Sequence, residues 1–255
     1  MEPVYRLQVN GEPRWGWKRG DVYELIAGDP TVDGWSGLRA TVERAPVSGT
    51  PLLAPCGRSK VLALAYNYRS LTGGAADQEP LFFFKSVTGL VGSGQRVRLP
   101  DFAERVWVEV ELTLVIGKGG ANIPQERAHE YILGHTIGND ITAVNLYGRD
   151  HHLARSKGLD GFCPVGPCLI PGMPPDGLAI ETHINGRLSQ SGNTADRILG
   201  DAASVATLSR YVTLEPGDII LTGTCAGAME SLVRPGDTVV VSIDGIGRLE
   251  TTFID

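Results

Sequence analysis

Residues 105–117, RVWVEVELTLVIG, combine an alternating apolar pattern with two acidic residues and predict a strand of the protein core. Alternate positions share one face of a strand, because its side chains repeat every two residues. The core-facing set is Val106, Val108, Val110, Leu112, Leu114 and Ile116. Glu109 and Glu111 therefore point together from the opposite face, with Cα atoms about 6.6 Å apart at roughly 3.3 Å per residue.

The two glutamates permit two interpretations. Close carboxylates repel each other in a poorly solvated cleft, so a compensating positive charge is expected. Two oxygen ligands on one rigid strand suit a hard divalent cation such as Mg²⁺ or Mn²⁺. The same pair also fits the solvent-facing side of a strand with ordinary surface acids, and the pair alone does not decide between the two.

The composition is that of a soluble globular protein. The chain has 255 residues, of which 42% are hydrophobic and 20% charged, and it has no apolar run long enough to span a bilayer. Its start lacks a basic region followed by an apolar stretch, so we predict a cytoplasmic protein. A net charge of −6 gives no general attraction for nucleic acid or an anionic membrane. The four cysteines lack C-x-x-C spacing and are expected to be free, buried thiols.

Turn residues divide the chain into two units. Residues 1–52 read as a small N-terminal β domain with short strands between turns, and residues 53–255 as a larger domain that follows a linker. Helices are predicted at 124–133, with Asn122 as its cap, and at 201–211. Many short strands and few helices predict a mainly β, α+β fold.

Two Pro-Gly-Asp turns, at 216–218 and 235–237, each precede an apolar strand. Proline and glycine set the backbone of such turns, and aspartate bonds to nearby backbone groups. We therefore interpret Asp218 and Asp237 as turn residues, not catalysts.

Two further residues carry chemical groups of interest. Asp140 follows a short apolar strand and completes, with the two glutamates, an all-oxygen ligand set that has room for water and substrate. Alone, it is equally a turn cap. Lys157 lies in a glycine-containing loop, and beside a metal it would stabilise an enolate or donate a proton. Its other interpretation is a solvated surface lysine.

Several motifs in one order resemble the fumarylacetoacetate hydrolase family. They are Glu109-Val-Glu111-Leu112, Gly138-Asn139-Asp140, and the segments 157–167, 184–196 and 214–224. The resemblance covers about residues 55–255. It implies a mixed β-sandwich roll, usually in homodimers, and the N-terminal unit is similar to one that precedes this domain in some members.

The resemblance also implies metal-dependent chemistry of 2-oxo acids. Glu109, Glu111 and Asp140 would bind Mg²⁺ or Mn²⁺, and Lys157 would be the catalytic residue that supports the enolate. A 2-oxo acid can chelate such a cation through its keto oxygen and one carboxylate oxygen. By resemblance, the substrate contacts are Tyr68, Arg69, Lys85, Asp160, Gln190 and Thr224. Family enzymes include acylpyruvate hydrolases, oxaloacetate decarboxylases and the decarboxylase/isomerases of homoprotocatechuate breakdown.

Two departures from the family pattern bear on the reaction. Hydrolytic members typically carry Asn-Tyr-x-x-His, whose histidine activates water, whereas this chain has Leu71 at the last position. Leucine cannot take a proton, so general-base attack by water loses its expected residue. The arginine that often follows the metal-binding aspartate by four residues is Val144 here.

Other residues offer replacements for the missing groups. The candidate cations are Arg69, Arg149, His151 and His152, the last three of which fit an exposed loop equally well. Asp77 and Glu79 are weaker candidates for proton transfer from a closing loop.

We therefore predict a divalent-metal-dependent decarboxylase or isomerase of an unsaturated 2-oxo di- or tricarboxylate from aromatic-acid catabolism. The alternatives within the enzyme class are acylpyruvate hydrolysis and oxaloacetate decarboxylation. A non-catalytic family member that binds metal and oxo acid is the alternative from another class. The expected partners are a small 2-oxo acid and a second copy of the chain, with no nucleic acid and no membrane.

Overall fold

The structure, a computed structural model, describes residues 2–73, 80–144, 148, 150–172 and 177–255. The candidates Asp77, Glu79 and Arg149 lie outside these residues. The described chain is mainly β, as predicted. Its strands, β1 to β19 in chain order, are Val4–Val9, Glu12–Arg19, Val22–Ala27, Arg39–Pro46, Val61–Ala65, Leu81–Lys85, Leu90–Val91, Gln95–Arg98, Val106–Trp107, Val110–Ile116, Ile132–Asn139, Thr142–Ala143, Cys163–Ile170, Ala179–Ile184, Arg187–Asn193, Ile219–Leu221, Leu232–Val233, Thr238–Ile243 and Gly247–Ile254.

The helices are short. The α-helices α1 to α4 are Pro30–Asp33, Arg69–Thr72, Ala154–Lys157 and Asp201–Ser209, and single 3₁₀ turns or short 3₁₀ helices occur at Trp35–Gly37, Val87–Gly89, Gln125–Tyr131 and Thr194–Asp196. The helix predicted at 201–211 is confirmed as α4. Across the described ranges, no helix is long and apolar enough to cross a membrane.

The helix predicted at 124–133 is present, but it is shorter and of the 3₁₀ type. The segment Gln125–Tyr131 is a 3₁₀ helix whose only buried residue is Ala128, and β11 begins directly after it at Ile132. With so little apolar surface to bury, an α-helix here would gain little from packing. Asn122 has a positive φ of 50° and does not cap the helix, because Pro124 holds the N-cap position.

One mixed sheet runs through the described chain in the order β4-β3-β2-β1-β13-β11-β10-β16-β5-β6, with β7 beside β13. The N-terminal strands join it where β1 pairs with β13, with Val4 opposite Leu169. Strands β10 and β11 lie at its centre and run antiparallel, with Glu111 opposite Gly138. The domain division after residue 52 stays a prediction.

The opening segment forms two strands instead of one. Strand β9 ends at Trp107 and β10 begins at Val110, so Glu109 lies in the gap between them. The six apolar residues of the core-facing set are buried, as predicted. The interpretation of a solvent-facing opposite side is wrong, because Glu111 is only 1% exposed. Both faces of β10 are covered, on one side by a five-stranded sheet in the order β15-β14-β18-β19-β8.

Smaller expectations are also confirmed. Asp218 Oδ2 accepts a hydrogen bond from the Glu215 N–H at 2.7 Å, and Asp237 Oδ2 accepts one from the Arg234 N–H at 2.8 Å. Both aspartates therefore close turns of the backbone. All four cysteines are free and buried.

Candidate metal centre

Three carboxylates meet at the start of β10 and the end of β11. Glu109 precedes β10, Glu111 lies on it, and Asp140 follows β11. The Asp140 N–H donates to the Glu109 carbonyl oxygen at 2.9 Å, and the Glu109 N–H donates to Asn139 Oδ1 at 3.2 Å. One oxygen from each carboxylate lies within 4.8 Å of the others. We call Glu109, Glu111 and Asp140 the acid cluster.

Two buried lysines contact the acid cluster. Lys157, the last residue of α3, donates from Nζ to Glu109 Oε2 at 3.0 Å and to Asp140 Oδ2 at 2.6 Å. Lys85, at the end of β6, donates to Asp140 Oδ1 and to the Ile141 carbonyl oxygen. If all five groups are ionised, three negative and two positive charges leave one negative charge. A divalent cation would turn this into one positive charge, which favours an anionic ligand.

Burial and charge shift the pKa values of this site in different directions. Burial raises the pKa of Glu111 well above its usual value, and repulsion from Asp140 and Glu109 adds to the rise. Burial alone would raise the pKa of Asp140, but the charges of Lys157 and Lys85 outweigh it and lower that pKa. Burial alone would lower the pKa of Lys157, but Asp140 and Glu109 outweigh it and raise that pKa. The charges of Asp140 and Glu109 therefore favour the protonated form of Lys157.

The acid cluster fits a hard divalent cation. Converging carboxylate oxygens are the ligands that Mg²⁺ and Mn²⁺ prefer. Burial, together with repulsion from Asp140 and Glu109, raises the pKa of Glu111, and a bound cation would stabilise its ionised form. Asn139 Nδ2, a buried hydrogen-bond donor beside the acid cluster, has no partner in the described structure. It can therefore donate to a bound water or ligand.

Backbone and amide groups hold the wall next to Glu111. The Gly223 N–H donates to Glu111 Oε2 at 2.5 Å, and Thr224 follows it in the chain. Gln190 donates from Nε2 to Thr224 Oγ1 at 2.7 Å and to the Cys225 carbonyl oxygen at 2.9 Å. Because Thr224 accepts this bond, its own hydroxyl hydrogen points elsewhere and can be donated to a ligand.

Gln190 itself has little capacity left for a substrate. Its Oε1 accepts from the Thr182 hydroxyl at 2.9 Å and from the Val110 N–H at 3.4 Å, and the residue is 1% exposed. The structure thus places Gln190 behind Thr224. Its predicted substrate contact stays a prediction, and the geometry favours a supporting role.

The remaining predicted substrate residues lie at different depths. Tyr68 is fully buried at the N-cap of α2, its hydroxyl has no partner in the described structure, and burial raises its pKa. Arg69 is exposed and donates to the Arg197 carbonyl oxygen at 2.9 Å. Asp160 is exposed and accepts from the Thr88 hydroxyl. The structure therefore joins Lys85 and Lys157 to the acid cluster, and it ties Arg69 and Asp160 to other groups.

Two of the residues considered as replacements, His151 and His152, lie within the part of the chain that the structure describes. His151 and His152 are exposed. Leu71, at the position of the family histidine, lies in α2 and is 38% exposed. None of the hydrogen bonds or ion pairs found in the described ranges links a histidine to the acid cluster.

The sequence did not point to Asp150, which holds the helix that carries Lys157. Asp150 Oδ2 accepts from both the N–H and the hydroxyl of Ser156, each at 2.7 Å. Burial alone would raise the pKa of Asp150, but these hydrogen bonds outweigh it and lower that pKa. An aspartate ahead of a helix is a common start signal, but α3 is too short to be recognised from periodicity.

Comparison with known proteins identifies the family. Residues 60–254 match the family described as Fumarylacetoacetate (FAA) hydrolase C-terminal. The chain belongs to the fumarylacetoacetate hydrolase family. The resemblance seen in the sequence is therefore confirmed.

Similar proteins of the fumarylacetoacetate hydrolase family include isomerases and a tautomerase. Oxaloacetate tautomerase YisK of Bacillus subtilis is 37% identical over 209 residues, which are 76% of this chain and 69% of that protein. The structure of 2-hydroxyhepta-2,4-diene-1,7-dioate isomerase from Mycobacterium marinum has 33% identity and a TM-score of 0.90, covering 100% of this chain and 98% of that one.

A third similar protein is 5-carboxymethyl-2-hydroxymuconate delta-isomerase from Mycobacterium smegmatis. Its structure has 33% identity and a TM-score of 0.89, covering 99% of both chains. These similarities confirm the predicted fold class of this fumarylacetoacetate hydrolase family member over its whole length. They also relate it to enzymes.

Proposed function

We propose that this family member is a divalent-metal-dependent isomerase or decarboxylase of an unsaturated 2-oxo di- or tricarboxylate, with Mg²⁺ or Mn²⁺ as the cation. One observation carries the proposal: Lys157 donates hydrogen bonds to Glu109 and Asp140 of the acid cluster. A cation site and a fixed ammonium therefore act on the same ligand. The similarity to 2-hydroxyhepta-2,4-diene-1,7-dioate isomerase supports the substrate class.

The groups of the site suit enolate chemistry. A divalent cation, when bound, would polarise the 2-oxo group as a Lewis acid. Lys157 would stabilise negative charge on the substrate oxygen through its ammonium. Lys85 would keep Asp140 paired whenever Lys157 donates to the substrate instead. Thr224 would donate its hydroxyl hydrogen to a substrate oxygen, because Gln190 already donates to its oxygen.

The position of Leu71 favours isomerisation or decarboxylation over hydrolysis. Hydrolysis needs a base that activates water, and leucine offers none. Proton transfer along a carbon chain and loss of CO₂ need no attacking water. Hydrolysis of an acylpyruvate is therefore the less favoured reaction.

Oxaloacetate is the second candidate substrate. The observation that favours it is the 37% identity with oxaloacetate tautomerase. Its tautomerisation or decarboxylation also passes negative charge to the 2-oxo group, so the same residues would serve.

The setting of the enzyme is also part of the proposal. We retain a homodimer, a cytoplasmic location and a place in aromatic-acid catabolism from the sequence-based prediction. Light scattering of the purified chain measures the first of these directly, and a monomer at micromolar concentration would contradict it.

Product analysis tests the proposed reaction. The purified protein with Mg²⁺ is offered 2-hydroxyhepta-2,4-diene-1,7-dioate, 5-carboxymethyl-2-oxo-hex-3-ene-1,7-dioate, oxaloacetate and an acylpyruvate. The double-bond shift, CO₂ release and formation of a second acid are followed separately, with and without chelator. We expect chelator-sensitive reaction of an unsaturated substrate. Rapid cleavage of the acylpyruvate with no reaction of the others would contradict the proposal.

A further inference from the structure

The carboxylate of Glu109 accepts hydrogen bonds from two other side chains besides Lys157. Its Oε1 accepts from Trp107 Nε1 at 2.7 Å and from the Thr142 hydroxyl at 3.0 Å, and its Oε2 accepts from Lys157. Trp107 and Thr142 are not charged, and neither is part of the acid cluster. Both donate to the same oxygen of Glu109.

Trp107 and Thr142 form a cross-strand pair. They lie directly opposite each other on β9 and β12, which belong to a three-stranded sheet with β17. This register brings the indole N–H and the hydroxyl to the same side of the small sheet, at the gap that contains Glu109. The Thr142 hydroxyl also lies 3.1 Å from the Asp140 carbonyl oxygen, but a charged carboxylate is the stronger acceptor.

The donors leave one oxygen of Glu109 better placed for a ligand. A carboxylate offers about four lone-pair sites, two on each oxygen. Two neutral donors fill those of Oε1, and Lys157 takes one on Oε2. The free lone pair is therefore on Oε2, the oxygen that faces Lys157.

We propose that Trp107 and Thr142 are positioning residues for Glu109, which they hold by Oε1 so that Oε2 is presented to a divalent cation. The inference rests on the proposed function, because it assumes that the acid cluster binds such a cation. Groups that orient metal ligands through hydrogen bonds typically contribute about 10- to 100-fold to metal affinity. The pair therefore acts on the affinity for the cation before any substrate is present.

The test measures Mn²⁺ binding to the full chain without substrate, by calorimetry and by the electron paramagnetic resonance spectrum of the bound ion. Trp107→Phe removes the indole N–H and keeps an aromatic ring, and Thr142→Val removes the hydroxyl at nearly constant volume. Each is expected to weaken Mn²⁺ binding about 10-fold or more and to change the spectrum. Thr142→Ser keeps the hydroxyl and is expected to bind Mn²⁺ nearly as tightly as the wild type.

Trp35→Phe is the matched control. Trp35 donates its indole N–H to the Leu133 carbonyl oxygen at 2.8 Å, which is not part of the acid cluster. This variant loses the same kind of hydrogen bond, so it should be destabilised without a change in Mn²⁺ affinity.

The outcomes separate this inference from the proposed function. If the wild-type chain binds Mn²⁺ and both Trp107→Phe and Thr142→Val bind it equally well, the inference is overturned and the proposed function stands. If the folded wild-type chain binds no Mn²⁺, both are overturned. If Trp35→Phe weakened Mn²⁺ binding as much as Trp107→Phe, the inference would also be overturned, because the effect would then follow from general destabilisation.

Discussion

The ammonium nitrogen of Lys157 lies 2.6 Å from Oδ2 of Asp140, and both residues are buried. A predicted catalytic cation is thus paired directly with a predicted metal ligand. Pairing keeps Lys157 protonated in a buried site, where an isolated ammonium would tend to lose its proton. It also means that Lys157 and a divalent cation compete for the oxygens of Asp140.

Lys157→Met should separate metal binding from turnover. The substitution keeps an unbranched side chain that is one atom shorter and removes its charge, so affinity for Mn²⁺ should stay the same or increase. Turnover should fall by about 10²–10³-fold, a typical effect of losing one electrostatic stabiliser. Calorimetry and steady-state kinetics measure the two effects. Lys118→Met is the control, because it removes an exposed lysine whose Nζ lies 4.7 Å from the centroid of the Tyr131 ring. It should change neither metal affinity nor turnover. Loss of metal binding in Lys157→Met would contradict the account.

Glu111→Gln should stabilise the metal-free protein and abolish its response to Mg²⁺. Because burial and neighbouring carboxylates raise the pKa of Glu111, its ionised form destabilises the fold at neutral pH. Glutamine keeps an oxygen that can accept from the Gly223 N–H. We expect Tm without metal to rise by about 2–4 °C, which corresponds to ~1 kcal/mol in a chain of this size. Scanning calorimetry with and without Mg²⁺ measures this. If Mg²⁺ raised the Tm of Glu111→Gln as much as that of the wild type, Glu111 would not be a ligand.

Tyr68→Phe should not destabilise the ligand-free protein. The Tyr68 hydroxyl is buried without a partner in the described structure, and a buried unsatisfied polar group costs about 1–3 kcal/mol. We expect equal or higher stability in urea unfolding and, if the hydroxyl contacts the substrate as the resemblance implies, weaker binding of a 2-oxo acid. A clear loss of stability would show that the hydroxyl has a partner in the ligand-free protein.

Asp201→Asn should show a pH-dependent loss of stability. Asp201 accepts from His135 at 2.5 Å and from Arg197 at 2.7 Å. Burial alone would raise the pKa of Asp201, but the His135 hydrogen bond and the Arg197 charge outweigh it and lower that pKa. The ionised form is therefore favoured in the folded state, so its contribution is complete above the ordinary aspartate pKa of about 3.9 and is lost as pH falls through the lower folded value.

At pH 7 we expect Asp201→Asn to lose about 3–5 kcal/mol, the usual cost of breaking a buried ion pair. The difference from the wild type should shrink below about pH 4, where the Asp201 carboxylate of the unfolded chain begins to protonate. Urea unfolding at several pH values measures both. A difference that does not change with pH would contradict the role of the charge.

Local patterns predicted much of the site. The two-residue alternation placed Glu109 and Glu111 apart from the apolar face, and the ordered motifs identified Asp140 and Lys157. The structure brings these four residues together. It was the motif order that favoured metal ligands over surface acids, because periodicity carries no information about what covers the second face of a strand.

Other features depend on distant parts of the chain. The surroundings of Glu111 come from distant parts of the chain, because the Gly223 N–H donates to its carboxylate and the charges of Asp140 and Lys157 act on it. The break between β9 and β10 and the meeting of Trp107 with Thr142 depend on the register of β9 and β12. Periodicity within one segment cannot reveal a register between two segments. The helix predicted at 124–133 is a shorter 3₁₀ helix for a related reason: local start signals do not show whether an apolar face has a partner.

Deuterium exchange tests the central claim most directly, that the acid cluster and a divalent cation together support an enolate of a 2-oxo acid. An unsaturated 2-oxo dicarboxylate is incubated in D₂O with the folded protein and Mg²⁺, and proton NMR follows the carbon chain next to the keto group. We predict deuterium incorporation in proportion to the protein concentration, and its loss on chelation or in Glu109→Ala. Incorporation that persists unchanged in Glu109→Ala and after chelation, or no incorporation by the wild-type protein, would contradict the account.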